Sequence, residues 1–154
     1  MAEHVEFTPH VSPADIEELV THLREADRIE CAAAGVLDVR QAITQGVARS
    51  ALCWAVRVDG ELACILGVVP LMLLGDTGVV WLLGTDVISR NARALMRLSP
   101  PYIEMMLLAY PHLANHVHAA NRQAVRWLTR MGFTLHAPVR ASTGELFYPF
   151  EKRA

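Results

Sequence analysis

The sequence has only three cysteines, Cys31, Cys53 and Cys64, and no two of them form a Cys-x-x-Cys pair. An odd, scattered set argues against a disulfide scaffold and fits free, buried thiols in a reducing cytosol. An excess of cations is also missing. The chain carries 14 Lys and Arg against 16 Asp and Glu, a formal net charge of -2. That balance points away from a counterion-releasing nucleic-acid surface and from an anionic-membrane surface. No apolar run reaches the ~18 residues of a membrane span. The most apolar stretch, Leu62 to Leu74, is broken by Gly67 and Pro70 and reads as buried strand. Met1 to His10 is polar and lacks the basic-then-apolar pattern of an export signal. The expected location is therefore cytoplasmic.

What is present suits a folded protein. Hydrophobic residues make up 53% and charged residues 19%, which excludes a disordered chain. Its 154 residues fit one domain, 1–154, long enough to bury a real core.

Val5 to Thr8 reads as a first strand. Ser12-Pro13-Ala14-Asp15 opens a helix by a capping box, and Ile16, Leu19, Val20 and Leu23 give it one apolar face. That helix runs on, or breaks and restarts, through Asp27 to Ala34, with Gly35 as the stop. Asp38 caps another helix. Ala51 to Val58, Asp59-Gly60 and Glu61 to Val69 then read as a hairpin. Gly75-Asp76-Thr77-Gly78 reads as a turn and Val79 to Leu83 as a third strand. Helices over Asn91 to Leu98 and Tyr102 to Tyr110 follow, then a strand over Leu113 to Ala119. A helix over Asn121 to Met131 and a last strand over Leu146 to Phe150 complete the chain. This order predicts an α/β (α+β) domain: a mixed, mostly antiparallel central sheet flanked by helices.

The segment Asn121 to Phe133 is the clearest motif. Asn121 is an N-cap; Ala124, Trp127, Leu128 and Met131 share one face; Gly132 permits the left-handed stop. Its spacing resembles the last crossover helix of the GNAT N-acetyltransferases. That resemblance implies the GNAT fold, with acetyl-CoA as cofactor and an amine as acceptor. It places the cofactor on the central strand and the loop after it, here Leu83, Gly84, Thr85, Ser89, Arg90, Asn91 and Ala92, with Asn121 nearby. In the family that loop reads Arg/Gln-x-x-Gly-x-Gly/Ala; Ser89 to Ala94 is the best fit here, with alanines at both small positions. Where the family often keeps a Tyr to protonate the leaving thiolate, this chain has Leu128.

A narrower resemblance runs from Asp27 to the C-terminus. Asp27-Arg28-Ile29-Glu30, Ala33-Ala34-Gly35, Ala63-Cys64-Ile65-Leu66-Gly67, Gly84-Thr85-Asp86 and the Asn121–Gly132 helix resemble the internal virion protein A family of short-tailed phages. It implies assembly of the virion core in a bacterial host cell, with phage structural proteins as partners and transferase activity degenerate or unproven. The high apolar content also points to a homodimer.

Three carboxylates are candidates for proton transfer. Asp86 ends the central strand and serves as a base or caps the next segment. Asp27 and Glu30 share one helical face. Such a pair serves as acid and base, recognises a basic partner, or simply lies in solvent. Arg90, Arg93 and Arg97 also share a face, toward cofactor phosphates, another acidic partner, or water. His116 and His118 without an acidic or Cys partner make a poor zinc pattern, so no metal is expected.

Overall fold

A computed structural model describes residues 3–154. The chain starts with β1 (Val5–Thr8), α1 (Pro13–Thr21), α2 (Glu25–Ala33) and α3 (Val39–Arg49). The antiparallel meander β2 (Leu52–Val58), β3 (Glu61–Pro70) and β4 (Thr77–Gly84) follows. Next come α4 (Asp86–Arg90), α5 (Ala92–Leu98), α6 (Pro100–Ala109) and β5 (His112–His118). Helix α7 (Arg122–Arg130), the short β6 (Thr134–Leu135) and β7 (Val139–Arg140), and β8 (Leu146–Arg153) end it. The strands form one sheet in the order β1-β2-β3-β4-β5-β8-β6, with β7 also paired to β8. β4 and β5 run parallel; the other pairs are antiparallel, as expected.

Local chemistry sets most boundaries. At α1 the Ser12 hydroxyl accepts from the Asp15 amide at 3.1 Å while the Asp15 carboxylate accepts from the Ser12 amide at 2.8 Å. The helical pattern does break: α1 stops at His22, and α2 restarts and ends at Gly35, whose φ is +84°. Asp59 (φ +49°) and Gly60 (φ +85°) make the two-residue hairpin turn. Thr77 and Gly78, read as turn, are the first residues of β4. Gly78 belongs in the strand because a Cβ there would sit 2.5 Å from the Val68 side chain and 3.0 Å from the Tyr110 ring. Helix α4 and strand β7 went unpredicted, being too short to show a period.

The sheet buries both faces. On one, Leu19 of α1 and Ile43 of α3 pack on Leu62 and Ile65, all at most 1% exposed. On the other, Leu95 of α5, Met106 of α6 and Leu128 of α7 cover Val68, Val80 and Leu113. Each such side chain contributes about 1.5–3 kcal/mol on burial. No helix among the described residues is long and apolar enough to cross a membrane.

Candidate functional site

β4 and β5 pair only from Thr77–His112 to Val79–Ala114, then part. Alternation decides which backbone groups of β4 face the split. Asp76 C=O accepts from His112 N at 3.1 Å, so even-numbered residues point toward β5. Val80 C=O accepts from the Asn115 side chain at 2.8 Å. Gly84 C=O accepts from Arg24 N at 2.8 Å, and Gly84 N donates to Asp27 Oδ2 at 2.8 Å. Leu82 lies between them, beyond the end of the ladder, and presents its N–H and C=O into the split.

The start of α2 closes the split at Gly84. The chain leaves α1, bridges Leu23 to Thr85, and brings three charged side chains inside. Arg24 is 7% and Asp27 1% exposed. Arg24 Nη2 donates to Asp27 Oδ1 at 2.8 Å and to Asn121 Oδ1 at 3.3 Å, and Nη1 donates to Gln123. Asn121 Nδ2 donates to Asp27 Oδ1 at 3.2 Å and to Glu30 Oε2 at 2.8 Å. Glu30 Oε1 accepts from His118 N at 2.7 Å. Burial pushes the Glu30 carboxyl above its ordinary range and Asp27 adds to the rise; the His118 and Asn121 hydrogen bonds only partly offset it. This clamp ties α2 to β4, to the end of β5 and to the cap of α7.

Along the split runs a cavity of about 620 Å³. It reaches both faces of the sheet, with Ala42 of α3 and Trp81 on one side and Met96 of α5, Trp127 and Leu128 of α7 on the other. His116 lines it, as do Asp27 and Glu30. Leu128 is 5% exposed and offers no proton. The three tyrosines lie apart: Tyr102 stacks on Phe7 with ring centroids 3.8 Å apart, Tyr110 packs at Gly78, and Tyr148, opposite Val117 in β8, is not among the residues lining the cavity.

The candidate residues divide. Asp27, Glu30, Gly84 and Asn121 meet in the clamp, and the two carboxylates are buried or half-buried rather than solvated. Leu83 and Ala92 line the cavity. Thr85 Oγ1 donates to Leu62 C=O at 2.6 Å and accepts from Val87 N, which caps α4. Asp86 is exposed in a separate groove with His22, Glu61 and Arg90. Ser89 donates to Gln123 at 2.9 Å, Arg90 pairs with Glu61 at 3.5 Å, and Asn91 donates to Val87 C=O at 2.9 Å between α4 and α5. The segment expected to be a phosphate loop is thus a bent helix that begins directly after β4. Arg24, Leu82, Asn115, His116 and Gln123 were missed. Only Arg24 left a signal, an opposite charge three residues before Asp27 on a helical stretch.

Burial pushes the thiols of Cys31 and Cys53 up to about 11 and that of Cys64 to about 12. All three are protonated, and so inert, at neutral pH.

No model of a protein family matches the chain, and neither does any curated protein. Solved structures do match. An acetyltransferase of the GNAT family from Streptococcus pneumoniae is 14% identical, with 99% of each chain covered and a TM-score of 0.65. A ribosomal-protein-alanine N-acetyltransferase from Brucella melitensis is 13% identical over 98% of this chain and 99% of its own, at 0.69. The yncA protein from Salmonella typhimurium, solved with its cofactor acetyl-CoA, is 13% identical over 99% of this chain and 94% of its own, at 0.66. At these identities the likeness speaks for architecture, and the chain has the fold of the GNAT acetyltransferases.

Proposed function

We propose that the protein binds an acyl-CoA-type thioester in the split between β4 and β5 and passes the acyl group to an amine. The observation that carries this reading is Leu82, the β4 residue whose N–H and C=O face an apolar cavity with no strand opposite. At such an edge an extended, amide-bearing arm can dock as an extra strand by donating to Leu82 C=O, which leaves Leu82 N–H for a second acceptor. The cavity is of the size of small-molecule sites.

The residues present fit the arm and the thioester end. Bound there, acetyl-CoA would supply a carbonyl carbon open to an amine and a thiolate leaving group. Leu82 N–H is placed to donate to the carbonyl oxygen as charge develops on it. His116 and Glu30 line the cavity where an amine would lose its proton. The inert thiols argue for direct transfer rather than an acyl-cysteine. Leu128 gives no acid, so the thiolate, with an ordinary pKa near about 8.5, takes its proton from water. That omission forgoes the roughly 10²–10⁴-fold that a general acid contributes.

A second reading has its own support. Helix α4 follows β4 without a loop, Thr85 already caps it, and Asp86 puts negative charge in its first turn, where phosphates would otherwise sit. With Leu128, this favours a chain whose transfer chemistry has lapsed; the sequence resemblance to the phage internal virion protein A family would then suggest a role in virion-core assembly, alone or as a homodimer beside phage structural proteins.

Calorimetry with acetyl-CoA separates the two. The transfer reading expects saturable one-site binding that Ala124→Trp, which fills the cavity beside Leu128, abolishes without unfolding the protein. Absence of binding at about 1 mM ligand, which bounds the free energy at about -4 kcal/mol, sinks it. A coding neighbourhood of phage head and tail genes, and recovery of the chain in virion cores, would then support assembly.

A further inference from the structure

The part of the cavity on the α3 side has a composition that acyl transfer alone does not call for. Its wall is made largely by Val36, Ala42, Ile43, Val79 and Trp81, with Gln45 of α3 also lining it. The one polar atom of Trp81 is engaged, since its Nε1–H donates to Ser50 Oγ at 2.9 Å, so the ring offers only apolar surface. The opening is apolar too. Leu71 lines the cavity and begins the β3–β4 turn, where Leu71, Met72, Leu73 and Leu74 are 60%, 64%, 97% and 91% exposed. Val36 also lines the cavity, and its neighbour Leu37 is fully exposed. Four large apolar side chains in a row in water oppose solubility and are expected only where they serve a contact.

The closed end is the reverse. Asp27 and Glu30 set two carboxyl groups against the one guanidinium of Arg24, all three lining the cavity. Arg49, the other cation along it, is exposed, at its outer edge. Largely apolar walls, a rim whose only charge among the described residues is Arg49, and a carboxylate-rich end fit a molecule with a long apolar chain and a cationic head.

We propose that this chamber holds a primary amine on a long apolar chain, its ammonium toward Glu30 and its chain running past Trp81 to Leu71. The fate of that amine as acyl acceptor rests on the transfer reading; its binding does not. A carboxylate head would meet like charge at the closed end. A polyamine would leave the walls uncovered.

Titration of dodecylamine, with laurate and spermidine as comparators, tests this in the absence of any CoA ester, by calorimetry and tryptophan fluorescence. The expected result is one-site binding of dodecylamine below its micelle concentration, at least about tenfold tighter than either comparator. Ala42→Phe should weaken it at least about tenfold with the thermal midpoint kept, and Leu71→Ser, at the rim, should weaken it less. Glu30→Gln should narrow the gap between dodecylamine and laurate. Equal binding of laurate, binding without a defined stoichiometry, indifference to both Ala42→Phe and Leu71→Ser, or no binding overturns the proposal. Acetyl-CoA titrated into the same sample keeps the two ideas apart. Amine binding without acetyl-CoA binding removes the transfer reading alone; acetyl-CoA binding without amine binding removes this one alone.

Discussion

Two charged clusters sit at opposite ends of β5, and they differ in kind. At the His118 end, Arg24, Asp27, Glu30 and Asn121 are enclosed, and Asp27 alone accepts from an arginine, a backbone amide and an asparagine. At the His112 end, Glu151 accepts from His112 Nε2 at 3.1 Å and from His136 Nε2 at 2.8 Å, at the surface. Both clusters join segments distant in sequence. Only the enclosed one fixes geometry, because there a lost partner leaves a charge away from water. The surface cluster is screened, and water replaces whatever it loses. The split between β4 and β5 therefore owes its closed end to α2, while Glu151 merely staples strands already paired.

Asp27→Ala should have the largest effect. It leaves Arg24 without its carboxylate and the Gly84 amide without an acceptor, at a cost of about 3–5 kcal/mol in urea unfolding at neutral pH. That is a large part of the roughly 5–15 kcal/mol such a domain carries. A loss no larger than that of a surface variant would show that the clamp is dispensable.

Glu30 sharpens the contrast through pH. Its carboxyl is raised in the folded state, so the folded protein holds this proton more tightly than the unfolded chain. Stability from this group is therefore highest at low pH and falls as pH rises from the ordinary value of 4.5 through the raised one. Glu30→Gln should flatten that decline in unfolding curves collected across pH; an unchanged slope would remove Glu30 as its source.

Glu151 should give the smallest effect and the opposite sign. The hydrogen bond from His136, helped by His112, holds its carboxyl below the usual range. Its contribution is present above 4.5 and is lost as pH falls through the lowered value. Glu151→Gln should leave neutral-pH stability close to wild type and slightly flatten the acid limb. A loss comparable to that of Asp27→Ala would erase the distinction between the clusters.

Much of the fold was legible. Ser12 and Asp15, Asp38, Asp59-Gly60 and the Asn121–Gly132 helix state their own conformations, because caps, turns and apolar faces act within a few residues. The site was less so. Asp27 and Glu30 stood out as a pair, but nothing near them in sequence says that they lie inside the protein. Ser89 to Ala94 resembled a phosphate loop by composition, yet Thr85 and Asp86 start a helix at once. His116 read only as half of a poor zinc pattern with His118, and the parting of β4 and β5 gave it a cavity to line.

By itself the sequence determined the order and nature of most of the elements, since these follow from local capping, turn chemistry and hydrophobic period, while the GNAT-like arrangement was what the resemblance of Asn121 to Phe133 implied. The tertiary structure alone decided that β4 and β5 part after Val79 and that α2 closes the gap. It also decided that Leu82 is left facing a cavity. Each of these depends on which distant groups satisfy a strand edge, and Arg24, Asp27 and Asn115 meet β4 only once the sheet has formed.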